Sequence, residues 1–80
     1  MDQIDIARIP LHARRTMANR HDSSPYVLEL LAADPDPDVR MAVAGHPSTP
    51  TAALRRLAGD GVARVAARAG IMVLAQRLAG

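Results

Sequence analysis

Slid along itself from Leu31 to Leu57, the chain matches its own sequence at several independent places. Leu31-Ala32-Ala33-Asp34 recurs as Leu57-Ala58-Gly59-Asp60. The same offset of 26 puts Leu28 on Leu54, Arg14 on Arg40, and Met17-Ala18-Asn19 on Val43-Ala44-Gly45. Ser24-Pro25 matches Thr49-Pro50 after a slip of one residue. Fixed-period self-similarity marks stacked supersecondary units, each too small to bury its apolar face alone. The expectation is an all-α fold, a short α-solenoid with about two and a half helix–turn–helix repeats in 80 residues.

The central copy is the most regular. Asp36 is a good N-cap, Pro37 needs no N–H at the first helical position, and Asp38 suits the positive end of the helix dipole. Val39, Met41, Ala42 and Val43 supply the apolar content. Gly45 ends the helix as a residue able to take positive φ, and Pro47 cannot continue it. Thr49 is then expected to cap a second helix with Pro50 at its first position. Leu54, Leu57 and Ala58 form its buried stripe, with Arg55 and Arg56 falling into solvent.

This divides the chain into an N-terminal arm or cap (residues 1–9, with Ile4, Ile6 and Ile9) and a first repeat over 10–33. A second repeat covers 34–59 and a degenerate third 60–80. In the first repeat, a helix near Leu11 to Asn19 precedes a second opened by Ser24 and Pro25, with Leu28, Leu31 and Ala32 on its stripe. In the third, Val62, Val65, Ala66 and Ala69 keep helical spacing, but no Pro-Ser-Thr-Pro element follows. Either one helix spans about 61–79, or Gly70 bends it.

The residues 31–40, Leu-Ala-Ala-Asp-Pro-Asp-Pro-Asp-Val-Arg, followed by Ala42-Val43-Ala44, His46-Pro47 and Thr49-Pro50, resemble the bacterial leucine-rich repeat variant family, which is HEAT-like. The resemblance implies a right-handed superhelix in which one helix of each pair is 3₁₀, and a binding role without catalytic residues. It is strongest over about residues 31–60.

Composition agrees with a thin core. There is no Phe or Trp, and Tyr26 is the only aromatic residue, yet 49% of residues are hydrophobic. A chain of this length buries only about 60–65% of its unfolded surface. Absence of Cys excludes disulfides and Cys-ligated metals, and no leader or membrane-spanning run is evident, so a cytoplasmic location is expected.

Chemistry-bearing patterns are weak. Asp34-x-Asp36-x-Asp38 mimics the start of a calcium loop, but the required Gly and Glu do not follow, and the prolines between them suit an inter-repeat turn. His12, His21 and His46 lack metal-ligand spacing. Ser23, Ser24, Ser48 and Thr49 suit caps, not nucleophiles. The expectation is no enzyme, no metal and no cofactor.

Two features bear on partners. All ten basic residues are arginine. Residues 1–38 hold four of them against seven acids, whereas residues 39–80 hold six against Asp60 alone. Arg14, Arg40, Arg55, Arg56, Arg64 and Arg68 could form a row along phosphates, or simply a solvated face in which Arg40 pairs with an Asp of the preceding turn. The second feature is the apolar run Ile71, Met72, Val73 and Leu74. With Leu74 and Leu78 extending the inner face of Val62, Val65 and Ala69, Ile71, Met72 and Val73 cannot all point inward unless the helix bends at Gly70 and buries them. This end is therefore the candidate site for a protein partner or for self-association into a homo-oligomer. A non-catalytic protein-interaction module is therefore the leading expectation, and an Arg-mediated nucleic-acid-binding or regulatory module the alternative.

Overall fold

The computed structural model describes residues 5–80; Ile4 lies outside them. A 3₁₀ turn, Ile6–Arg8, leads into five α-helices: α1 (Leu11–Asn19), α2 (Pro25–Leu31), α3 (Pro37–Ala44), α4 (Thr51–Ala58) and α5 (Ala63–Ala79). No strand occurs among the described residues. The helices of both repeat pairs are α, so the 3₁₀ geometry implied by the family resemblance is confined to the turn before α1.

The repeat is strict in three dimensions. Helices α1, α3 and α5 begin at Leu11, Pro37 and Ala63, and α2 and α4 at Pro25 and Thr51, each one period apart. No slip is needed. Ser23, not Ser24, is the counterpart of Thr49: Ser23 Oγ donates to the Met17 carbonyl and Thr49 Oγ1 to the equivalent Val43 carbonyl at 2.7 Å. This corrects the expectation that Thr49 caps α4. Its hydroxyl is buried and turned back onto α3, and Pro50 holds the N-cap position without a side-chain bond. Ser24 does cap α2, accepting from the Val27 N–H at 3.2 Å, and Asp36 caps α3 by accepting from Val39 N–H at 3.1 Å.

Helix α3 packs against both α1 and α5, so these three form one layer, with α2 and α4 behind them. The core between the layers is aliphatic: Leu28, Leu31, Val39, Val43, Leu54, Leu57 and Val65, with Ala18, Ala44, Ala53 and Ala69 where helices come close. On α4 the buried stripe is Ala53, Leu54 and Leu57; Ala58, expected inside, is exposed. Ile6 and Leu11 pack against the first repeat from the N-terminal side, so the 3₁₀ turn covers that end of the core.

Of two glycines, Gly45 departs from the sequence expectation and Gly70 follows one of its two alternatives, a single helix. Gly45 ends α3 at φ −96°, an ordinary right-handed value. What it supplies is room: a Cβ there would stand 2.7 Å from Arg68 Nη1, whose side chain lies across it. Gly70 lies within the α5 helix, and a Cβ added to it would meet nothing within 4 Å. Gly70→Ala is therefore expected to stabilise the fold by about 0.5–1 kcal/mol, because it removes unfolded-state freedom at no steric cost. Urea unfolding checks this; a loss of stability would show that α5 needs a flexible point there.

Candidate interaction face

The first two repeats are each closed by an arginine of the first helix. Arg14 Nε donates to Asp34 Oδ2 at 2.7 Å while its Nη1 donates to the Ile9 carbonyl at 2.5 Å. One period later, Arg40 Nε and Nη2 hold both oxygens of Asp60 at 2.7 and 3.2 Å, and Nη1 donates to the carbonyls of Asp34 and Pro35. The two acids also fix the next turn, with Asp34 accepting from the Asp36 N–H and Asp60 from the Val62 N–H, each at 2.9 Å. One guanidinium thus ties the chain before its helix to the chain after its repeat. The third unit has Ala66 at the equivalent position, so the series stops there.

This clasp corrects two expectations. Arg14 and Arg40 are not on a free edge for phosphates, since their side chains are only 12% and 16% exposed and are consumed by Asp34 and Asp60. Arg40 also pairs 20 residues ahead and not with an acid of the preceding turn. The recurrence of Asp34 and Asp60 at the same offset as Arg14 and Arg40 was the sequence signal for the pairing.

The bidentate Arg40 guanidinium, together with the Val62 N–H, holds the Asp60 carboxyl below the usual carboxylate range, against the opposing effect of burial. A depressed carboxylate stabilises the fold above its unfolded pKa, about 3.9, and this contribution is lost as pH falls through the lower folded value. The Arg40 pKa is raised chiefly by the same hydrogen bond to Asp60, so that share is lost together with the Asp60 charge. Wild-type chain should therefore lose stability on acidification below about pH 4, and Asp60→Asn should flatten that part of the profile. Equal acid slopes in denaturant titrations of the two proteins would contradict the assignment.

Of the histidines, His46 has structural work. His46 is buried; its Nδ1 accepts from the Ser48 N–H at 3.0 Å, which leaves Nε2–H to donate to the Arg20 carbonyl of the previous repeat at 2.7 Å. His12 and His21 are exposed. Among the described residues no group of His, Asp or Glu is arranged to hold a metal ion.

The surface of the α1–α3–α5 layer carries the less expected arrangement. Asp38 of α3 lies between Arg15 of α1 and Arg64 of α5, at 3.4 and 2.9 Å. Below that line, an open groove of about 570 Å³ runs between α3 and α5 over Met41, Gly45, Ala67 and Met72, with Arg64, Arg68 and Ile71 along its α5 side. Beyond the end of α3, α5 continues for two turns across α4, where Thr51 Oγ1 donates to Gln76 Oε1 at 3.0 Å.

That continuation sorts the apolar run. Met72 and Val73 are half-buried against the core, whereas Ile71 is 67%, Leu74 54% and Leu78 80% exposed. The arginines are sorted too. Arg64 and Arg68 belong to the groove face, but Arg55 and Arg56 lie on α4 in the other layer, where Arg56 meets Glu29 at 3.5 Å. The six arginines named from the sequence are therefore not brought into one row.

Residues 37–61 match the family model described as leucine rich repeat variant. The matched segment is α3, α4 and the turn that receives Arg40 at Asp60. Neither a curated protein nor a solved structure matches the chain.

Proposed function

We propose that this leucine rich repeat variant chain is a non-catalytic protein-interaction module that docks a protein, either another chain or a second copy of itself, on the outer face of α5. The observation that carries the reading is the row of Ile71, Leu74 and Leu78, each more than half exposed, with Tyr26 the one other large exposed apolar side chain among the described residues. Large apolar side chains clustered on one face mark interaction sites more often than singly scattered ones do. The clasp and the caps account for the polar groups that would otherwise invite a catalytic reading, and the helical repeat family favours binding over chemistry.

Photo-crosslinking from position 71, compared with the exposed position 33 at the end of α2, tests the proposal in cells expressing the chain. A discrete protein adduct from position 71 that disappears in Leu74→Asp is expected. Indistinguishable adduct patterns from the two positions would remove the reading.

A further inference from the structure

The occupant of the α5 face can be specified by chemistry. This rests on the reading that α5 is a docking face. Ala67, Ile71, Leu74 and Leu78 are spaced four, three and four residues apart, the alternation that keeps a single seam along a helix facing a partner helix. At 1.5 Å per residue the seam is about 16 Å long, or three turns. Its upper part borders the α3–α5 groove, where Met41 and Met72 supply adaptable apolar walls and the Arg68 side chain lies across Gly45. This is the shape that receives an amphipathic helix through apolar anchors at i, i+3 or i+4, and i+7.

Charge then selects among helices. Residues 61–80 contain Arg64, Arg68 and Arg77 and no acidic residue. The acid nearest the groove, Asp38, is already shared between Arg15 and Arg64, while Arg68 and Arg77 form no ion pair among the described residues. The seam is therefore flanked by positive charge along its length. A second copy of α5 suits it poorly. Whichever way it runs, a second α5 brings its own three arginines and no acid to pair with them. Like charges across a helix seam oppose association, and opposite charges select the partner.

We propose that the α3–α5 groove and the α5 seam bind an amphipathic helix of a partner protein whose apolar stripe is bordered by Asp and Glu. The probe is a fluorescein-labelled helical peptide of about four turns, with leucines at i, i+3 and i+7 flanked by glutamates, and a companion with those glutamates replaced by lysines. Fluorescence anisotropy with the full chain should show saturable binding of the Glu peptide and none of the Lys peptide. Ile71→Ser with Leu74→Ser should weaken it at least about tenfold, a loss of two apolar anchors. Arg68→Glu should weaken it at least about fivefold, whereas Arg55→Glu, the same charge change on the other layer, should leave it unaltered. All four positions are exposed, so far-UV circular dichroism should confirm an unchanged fold.

Equal binding of both peptides, or of neither, overturns the proposal. So does a chain that is dimeric by light scattering and becomes monomeric in the Ile71→Ser, Leu74→Ser variant, because the seam is then filled by a second copy. That last result, or a position-71 adduct with no Glu-peptide binding, would leave the docking face standing and remove only the acidic helix.

Discussion

Asp34→Ala should destabilise the chain by about 3 kcal/mol, the low end of the cost of removing one partner from a buried ion pair. The Asp34 side chain is fully buried and its oxygens receive Arg14 Nε and the Asp36 N–H. Alanine leaves the Arg14 guanidinium without its anion and loosens the turn that presents Asp36 as the cap of α3. Arg14 keeps the Ile9 carbonyl and a little solvent, which is why the larger values are not expected. For a domain of this size the melting midpoint should fall by more than about 10 °C. Removing both partners, as Arg14→Leu with Asp34→Ala, should restore part of the loss, since it is the orphaned charge that costs most. A drop below about 1 kcal/mol in urea unfolding would place this pair with ordinary surface salt bridges.

Leu54→Ala should be as damaging for a different reason. Leu54 is fully buried in the core between the two layers, and truncation loses its transfer free energy and leaves a cavity, together about 3–4 kcal/mol. A core of this size rarely supplies more than about 3–5 kcal/mol in total, so the variant should lack a cooperative thermal transition. Leu54→Met keeps the volume and should cost less than about 1.5 kcal/mol. Differential scanning calorimetry separates the two; a cooperative transition within a few degrees of wild type in Leu54→Ala would mean that the neighbours collapse into the space.

Much of this was legible because the repeat writes the same local instructions twice. Asp36-Pro37 and Ser24-Pro25 mark helix starts by mechanism, and both hold. Thr49-Pro50 carries a similar signature but acts otherwise, because the Val43 carbonyl at the end of α3 lies within reach of the hydroxyl once the turn has closed. Pro25 and Pro50 stand one residue off the period, whereas the hydroxyl at Ser23 and Thr49 is what the period preserves. Gly45 shows the same limit. Its place at a helix end was readable, but its use as space for Arg68 depends on a residue 23 positions away on another helix.

The candidate site divides similarly. That Ile71, Met72 and Val73 could not all be buried on one straight helix followed from helical periodicity, but Leu74 and Leu78, expected on the inner face, are exposed, because which residues face outward depends on how α5 lies across α3 and α4. For the arginines the sequence could align Arg14 with Arg40, and an equivalent position means an equivalent environment in a solenoid. It could not decide that this environment is an ion pair and not open solvent. A contact between Arg40 and Asp60 exists only when a whole repeat has folded back to bring its end beside its beginning.

The sequence by itself determined the period, written in its own recurrence, and the helix starts at Ser24 and Asp36 with most of the apolar stripes, written in spacings shorter than one helix. The tertiary structure alone decided the partners of the charges and the face left uncovered on α5. Those depend on the stacking of helices 20 or more residues apart, which brings Arg14 to Asp34, His46 to the Arg20 carbonyl and Arg64 to Asp38.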